Sequence, residues 1–154
     1  MIHTFASSTF LPLERKRVFA FFAEAGNLSR ITPPAMGFRI RTSGPIVIDE
    51  GTVIDYSVRV FGLPLRWRSL IQAWDPPRGF VDVQLAGPYK SWVHTHRFVE
   101  QAGGTVIEDS VRYELPWGPL GALIHPLVRR ELDKIFEFRR GATERLLLAG
   151  AGQK

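Results

Sequence analysis

From Gly87 to Pro116 the chain alternates apolar and polar positions in two runs about Gly103–Gly104. Strands show their faces with a period of two, so Trp92, His94, His96 and Phe98 share one face of the first run. In the second run Ile107, Asp109, Val111, Tyr113 and Leu115 share a face, opposite Val106, Glu108, Ser110, Arg112 and Glu114. The latter set is nearly all polar and belongs in water; the former looks inward. A Gly-Gly between two such runs predicts a hairpin. Joined, the inward faces place two imidazoles, a carboxylate and a phenol on one wall with Trp92 and Phe98.

The same pattern predicts the remaining elements. His3–Leu11 reads as a strand with Phe5 and Phe10 on opposite faces. Pro12 then opens a helix in which Val18, Phe21, Phe22 and Ala25 recur at helical spacing, ended by Gly26. Asn27 is placed to cap a second short helix, stopped by Thr32-Pro33-Pro34. Strands are predicted at Phe38–Thr42, Val47–Ile48, Thr52–Phe61, Leu65–Trp74 and Phe80–Leu85, with turn residues between them. Tyr56 falls with Ile54, Val58 and Val60 on one face, and Trp67 with Ser69, Ile71 and Ala73. Short connections without crossover helices predict an antiparallel meander, hence an α+β fold.

The last element is a helix over 126–148, with Pro126 in its first turn and 120–125 a separate turn or kinked start. Taking Val128 as zero and 100° per residue, Leu132, Ile135, Ala142 and Leu146 all fall within about 40°. Arg139 falls at about +20°, inside this apolar stripe. A guanidinium there must reach an acid, the rim or a ligand, because its unpaired burial is costly.

Composition narrows the classes. The 154 residues fit one domain, taken as 1–150, and there is no cysteine, which excludes disulfides and thiolate metal sites. No run approaches the roughly 18 apolar residues of a membrane span, and the amino terminus has neither a basic start nor an apolar core. A soluble, cytoplasmic protein is expected. The net charge of +5 raises polyanion binding, but the basic residues are scattered among 15 acidic ones with no basic run or tail, so no DNA partner is expected.

The chemistry-bearing candidates are few. His94 and His96, two apart on one face, would need Asp109 or Asp82 to approach a metal set, and no complete ligand spacing is present, so no metal or cofactor is expected. Neither a G-x-S-x-G turn nor a nucleotide-binding glycine motif occurs. Asp109 is the preferred ion partner of Arg139. Proton transfer by His94 or His96, oriented by Asp109, is the catalytic alternative.

The motifs together resemble the SRPBCC, or START and birch-pollen-allergen-like, helix-grip superfamily. They are Asn27-Leu28…Thr32-Pro33-Pro34, Gly87-Pro88-Tyr89…Trp92-x-His94-x-His96-x-Phe98, Gly103-Gly104-Thr105…Asp109-x-Val111-x-Tyr113-x-Leu115-Pro116-x-Gly118, and Ile135-Phe136-x-x-Arg139. The likeness is to its bacterial ligand-binding and cyclase/dehydrase-like members. It implies about seven antiparallel strands wrapped around the long carboxy-terminal helix, with two short helices after the first strand. It also implies a cavity for a small hydrophobic or amphipathic ligand. The expected lining is Tyr56, Trp67, Trp92, His94, His96, Phe98, Asp109, Tyr113 and Arg139. The expected function is a carrier or sensor. A cofactor-independent cyclase or dehydratase using His94/His96 with Asp109 is the alternative, and a protein- or RNA-interaction module a further one.

Overall fold

The computed structural model describes residues 1–150. Its strands are β1 (Ile2–Leu11), β2 (Arg39–Ile40), β3 (Val53–Val60), β4 (Leu63–Asp75), β5 (Gly79–Ala86), β6 (Ser91–Gln101) and β7 (Gly104–Glu114). They form one seven-stranded sheet in the order β1-β7-β6-β5-β4-β3-β2, antiparallel throughout. Helices α1 (Arg15–Phe22) and α2 (Asn27–Arg30) and a 3₁₀ turn at Pro34–Met36 follow β1, and α3 (Pro119–Ala149) closes the chain. This is the α+β helix-grip architecture that the motifs implied.

The organising hairpin pairs Gln101 with Gly104, so its two-residue turn is Ala102-Gly103 and not the Gly-Gly itself. Gly103 takes φ +84°, whereas Gly104 is the first residue of β7 and backs onto the Leu11 carbonyl, where a Cβ would collide. One glycine supplies the left-handed conformation and the other supplies room. The register then sets His96 opposite Asp109, and Trp92 opposite Tyr113.

Other expectations are corrected locally. Helix α1 is shorter than the stretch from Pro12 to Gly26, because the Leu13 N–H is turned onto the Leu11 carbonyl before the helix begins. Asn27 is the first residue of α2 and does not cap it. Its side chain is a bolt: Nδ2 donates to the Phe21 carbonyl at 2.8 Å and Oδ1 accepts from Arg30 at 3.0 Å. Val47–Ile48 forms no strand, and β2 stops at Ile40 because the Arg41 and Thr42 N–H groups converge on the single Asp55 carbonyl. In β4 the pairing slips between Ile71 and Ala73, which turns Ala73 outward and Trp74 inward against Phe19 and Phe80. A bulge inserts one residue and reverses the parity beyond it.

Helix α3 begins at Pro119 and runs unbroken through Pro126. The turn before Pro126 is anchored by His125, which stacks on His3 at 3.6 Å and lies 3.0 Å from the Tyr113 hydroxyl. No helix among the described residues is long and apolar enough to cross a membrane. The buried residues Gly121, Val128, Leu132, Phe136, Ala142, Thr143 and Leu147 centre about 40° from the predicted stripe, toward Phe136, and Ala142 is inward as expected. Ile135 and Leu146 are only half-buried. The apolar arc of α3 is wide because one flank packs on β1 and β7 while the other borders a cavity.

Two apolar clusters hold the helix to the sheet. Phe5, Val111, Tyr113, Val128, Leu132 and Phe136 pack near its middle. Leu11, Val18, Phe19, Phe98, Ile107 and Leu147 pack at its carboxy-terminal end with α1. Truncation of Leu132 to alanine is expected to cost about 2 kcal/mol, the lower end for a core leucine, because this side chain also borders the cavity. Chemical denaturation of the two proteins measures the difference.

Candidate functional site

A cavity of about 760 Å³ lies between α3, the inner faces of β3–β6 and the α1–α2 segment. Of the residues expected to line it, Tyr56, Trp67, Trp92, His94, His96 and Arg139 do so. The other three do not. Phe98 is 1% exposed in the cluster beneath α1, and Tyr113 is 0% exposed beneath α3. Asp109 stands behind the two histidines, beside Arg139 and Thr143 in a small crevice on the far side.

The residue that sequence reasoning left out of the lining is Asp82. In β5, whose inward face the pattern left unassigned, Val81 and Val83 turn away from the cavity while Phe80 and Asp82 line it. The only signal was the phase of Phe80, since the apolar-in rule favours the wrong face.

Asp82, His94, His96 and Asp109 form a closed arrangement across three strands. Asp82 pairs in register with His94, and His96 with Asp109. The hydrogen bonds run along the diagonals. His94 Nε2–H donates to Asp109 Oδ1 at 2.8 Å, and His96 Nε2–H donates to Asp82 Oδ2 at 2.7 Å. The remaining ring nitrogens complete the square at longer range, His94 Nδ1 at 3.8 Å from Asp82 Oδ2 and His96 Nδ1 at 3.2 Å from Asp109 Oδ1. The His96 Nδ1 contact lacks hydrogen-bonding geometry. The two imidazoles lie face to face, centroids 3.6 Å apart, and His96 stacks on Phe80.

The four groups hold different protonation preferences. Burial opposes the Asp109 charge, but the hydrogen bonds from His94 and His96 outweigh it and keep this carboxyl well below the usual range. Burial likewise opposes ionisation of Asp82, and the His96 hydrogen bond with the charges of His96 and Arg139 overcomes it. His94 is pushed down, first by burial and then by its cationic neighbour His96. Burial also works against the His96 cation, yet two carboxylates raise its pKa above the ordinary 6.5. At pH 6.5 these directions favour two carboxylates, a neutral His94 and an imidazolium at His96.

The linkage signs oppose each other. His96, raised, contributes stability that is complete below pH 6.5 and is lost as pH climbs through its folded value. His94, depressed, contributes stability that is present above pH 6.5 and declines as pH falls toward its folded value. An imidazole ¹⁵N NMR titration is expected to show His94 still neutral below pH 6.5 and His96 still protonated above it. Two overlapping titrations near 6.5 would contradict this arrangement.

Arg139 does not pair with Asp109, whose acceptor Oδ1 is held by the imidazoles. Its guanidinium lies over the Phe136 ring, 5.0 Å from the centroid, and its buried Nε has no hydrogen-bond partner among the described residues. Trp67 Nε1 is a second buried donor without a partner on the cavity wall. Burial raises the Tyr56 hydroxyl above its ordinary pKa, so it is a neutral phenol, 3.4 Å from Ser69 Oγ.

The architecture is that of known helix-grip proteins. It superposes on TTHA0849 from Thermus thermophilus with a TM-score of 0.79 and 17% identity, covering 97% of this chain and 100% of that one. The ZhuI aromatase/cyclase from Streptomyces sp. R1128 gives 0.80 at 14% identity, with 99% and 98% covered. Norcoclaurine synthase from Thalictrum flavum gives 0.72 at 15% identity, with 99% and 98% covered. No protein-family model matches the chain, and no curated protein matches it in sequence. The fold is thus the helix-grip fold.

Proposed function

We propose that the protein binds a largely apolar small molecule carrying oxygen acceptors, held between the sheet and α3. The carrying observation is the cavity itself: about 760 Å³, within the size range of small-molecule sites, with two buried donors, Trp67 Nε1 and Arg139 Nε, that lack protein partners. An unsatisfied buried donor is costly, so a side-chain rotation that brings either N–H to a ligand oxygen is favoured. Tyr56, Trp67 and Trp92 supply flat apolar faces suited to a ring system.

A naphthalene-sulfonate fluorophore tests this, with Trp67 and Trp92 as intrinsic reporters. Saturable one-to-one binding is expected. Val58→Trp, which fills the cavity from its β3 wall, is expected to weaken binding more than about tenfold without lowering the melting temperature. Equal binding by both proteins would sink the reading.

One observation favours a second, catalytic reading of the cyclase/dehydratase kind. His94 is neutral, oriented by Asp109 through Nε2–H, and its Nδ1 lone pair lies toward the cavity wall beside Asp82. That is the arrangement of an oriented general base. The aromatase/cyclase and norcoclaurine synthase neighbours support it at the level of fold.

A further inference from the structure

We propose that Asp82, His94 and His96 form a three-ligand site for one divalent transition-metal ion of the zinc or ferrous class, with its open face toward the cavity. The three ligand atoms lie within 4.8 Å of one another. All three side chains border the cavity, whereas Asp109 sits behind them.

The proton inventory makes the case. Asp109 can only accept, and both histidines present a nitrogen to its Oδ1, His94 Nε2 at 2.8 Å and His96 Nδ1 at 3.2 Å. If the His96 ring rotates so that Nδ1–H, which lacks hydrogen-bonding geometry here, meets Asp109, each imidazole gives its one N–H to that carboxylate, and the lone pairs of His94 Nδ1 and His96 Nε2 both turn toward Asp82 Oδ2. Three electron-pair donors then converge with nothing positive between them. A proton on His96 answers the 2.7 Å contact but leaves His94 Nδ1 facing a carboxylate oxygen at 3.8 Å without a hydrogen bond. A dication answers all three. Ligand bonds of about 2.1 Å at tetrahedral angles separate ligand atoms by about 3.4 Å, between the two distances observed, so modest side-chain rotation suffices.

The surroundings fit that occupant. Two imidazoles and one carboxylate facing an open position are a common protein ligand set for zinc and non-haem iron. Asp109 would serve as the carboxylate that fixes both rings from behind. The ligands stand on the adjacent strands β5 and β6, and the rings are stacked on each other and on Phe80, so the set is rigid. A dication there, with Arg139 on the same cavity wall, sets three positive charges against the two carboxylates of Asp82 and Asp109. The open position accordingly suits a ligand with an anionic oxygen, a carboxylate, phenolate or enolate. This inference does not depend on which apolar ligand fills the cavity, since the fluorophore titration can be run on metal-free protein.

Cobalt(II) added to chelator-stripped protein is the test. One equivalent is expected to give visible ligand-field absorption and to shift the His94 and His96 imidazole resonances paramagnetically, with zinc reversing both. Asp82→Asn should weaken binding more than about 100-fold, and Asp109→Asn about 10- to 100-fold as an outer partner. His3→Ala/His125→Ala, which removes the stacked surface pair, should leave affinity unchanged. Absence of one-to-one binding overturns the proposal. So do paramagnetic shifts confined to His3 and His125, a result read on the unmutated chain even if a variant fails to fold.

Discussion

Replacing Asp109 by asparagine is expected to destabilise the protein by about 3–5 kcal/mol at neutral pH, the loss typical of removing one partner from a buried ion pair. Its side chain is 12% exposed and its Oδ1 lies 2.8 and 3.2 Å from the two imidazoles. The amide is nearly isosteric, so packing changes little. What is lost is the charge that orients His94 and favours the His96 cation. The pH dependence distinguishes this from a packing effect. A carboxyl depressed in the folded state contributes stability that is complete above its ordinary pKa of 3.8 and is lost as pH falls below that value. The gap between parent and variant should therefore narrow by up to about 1.4 kcal/mol per pH unit below that point. Denaturant titrations at neutral and at acid pH measure it. A deficit independent of pH would mean that Asp109 acts through shape alone.

Replacing Arg139 by methionine is expected to leave the melting temperature unchanged or slightly raised, while weakening binding of the sulfonate fluorophore by about 10- to 100-fold. The stability expectation follows from the absence of any acid paired with this guanidinium among the described residues, where its contacts are the Phe136 ring and the cavity. Methionine keeps the length and the apolar stem, so little packing is removed. The affinity expectation follows from a hydrogen bond to a charged group, worth about 1.5–3 kcal/mol. One variant and two measurements separate an anchor from a structural residue. A large fall in melting temperature with intact affinity would assign Arg139 to the fold.

Much of the architecture was legible in the chain itself. The period-two runs on either side of Ala102-Gly103 set the faces of β6 and β7, because a strand in register has no other way to bury Trp92, Phe98, Val111 and Leu115 together. Arg139 stood out as a cation inside an apolar arc, and it does reach the cavity wall. Face assignment failed in β4, where a bulge reverses the alternation, and was not made in β5. Val81 and Val83 are the more apolar side of β5, yet Asp82 is the inward one, and the slip after Ile71 could not be read from a smooth apolar run.

What the chain pattern determines is thus periodicity, and with it which residues can share a face. Partner choice belonged to the tertiary structure. The sequence pairs Asp109 with Arg139 as readily as with a histidine, because all lie on inward faces and the distance between elements is not encoded locally. The antiparallel register put Asp82 beside His94 and Asp109 beside His96. It thereby sandwiched two imidazoles between two carboxylates and left the guanidinium against Phe136. Hydrogen bonds act over about 3 Å, so the chemistry of this wall follows from cross-strand neighbours, which only the folded sheet brings within reach.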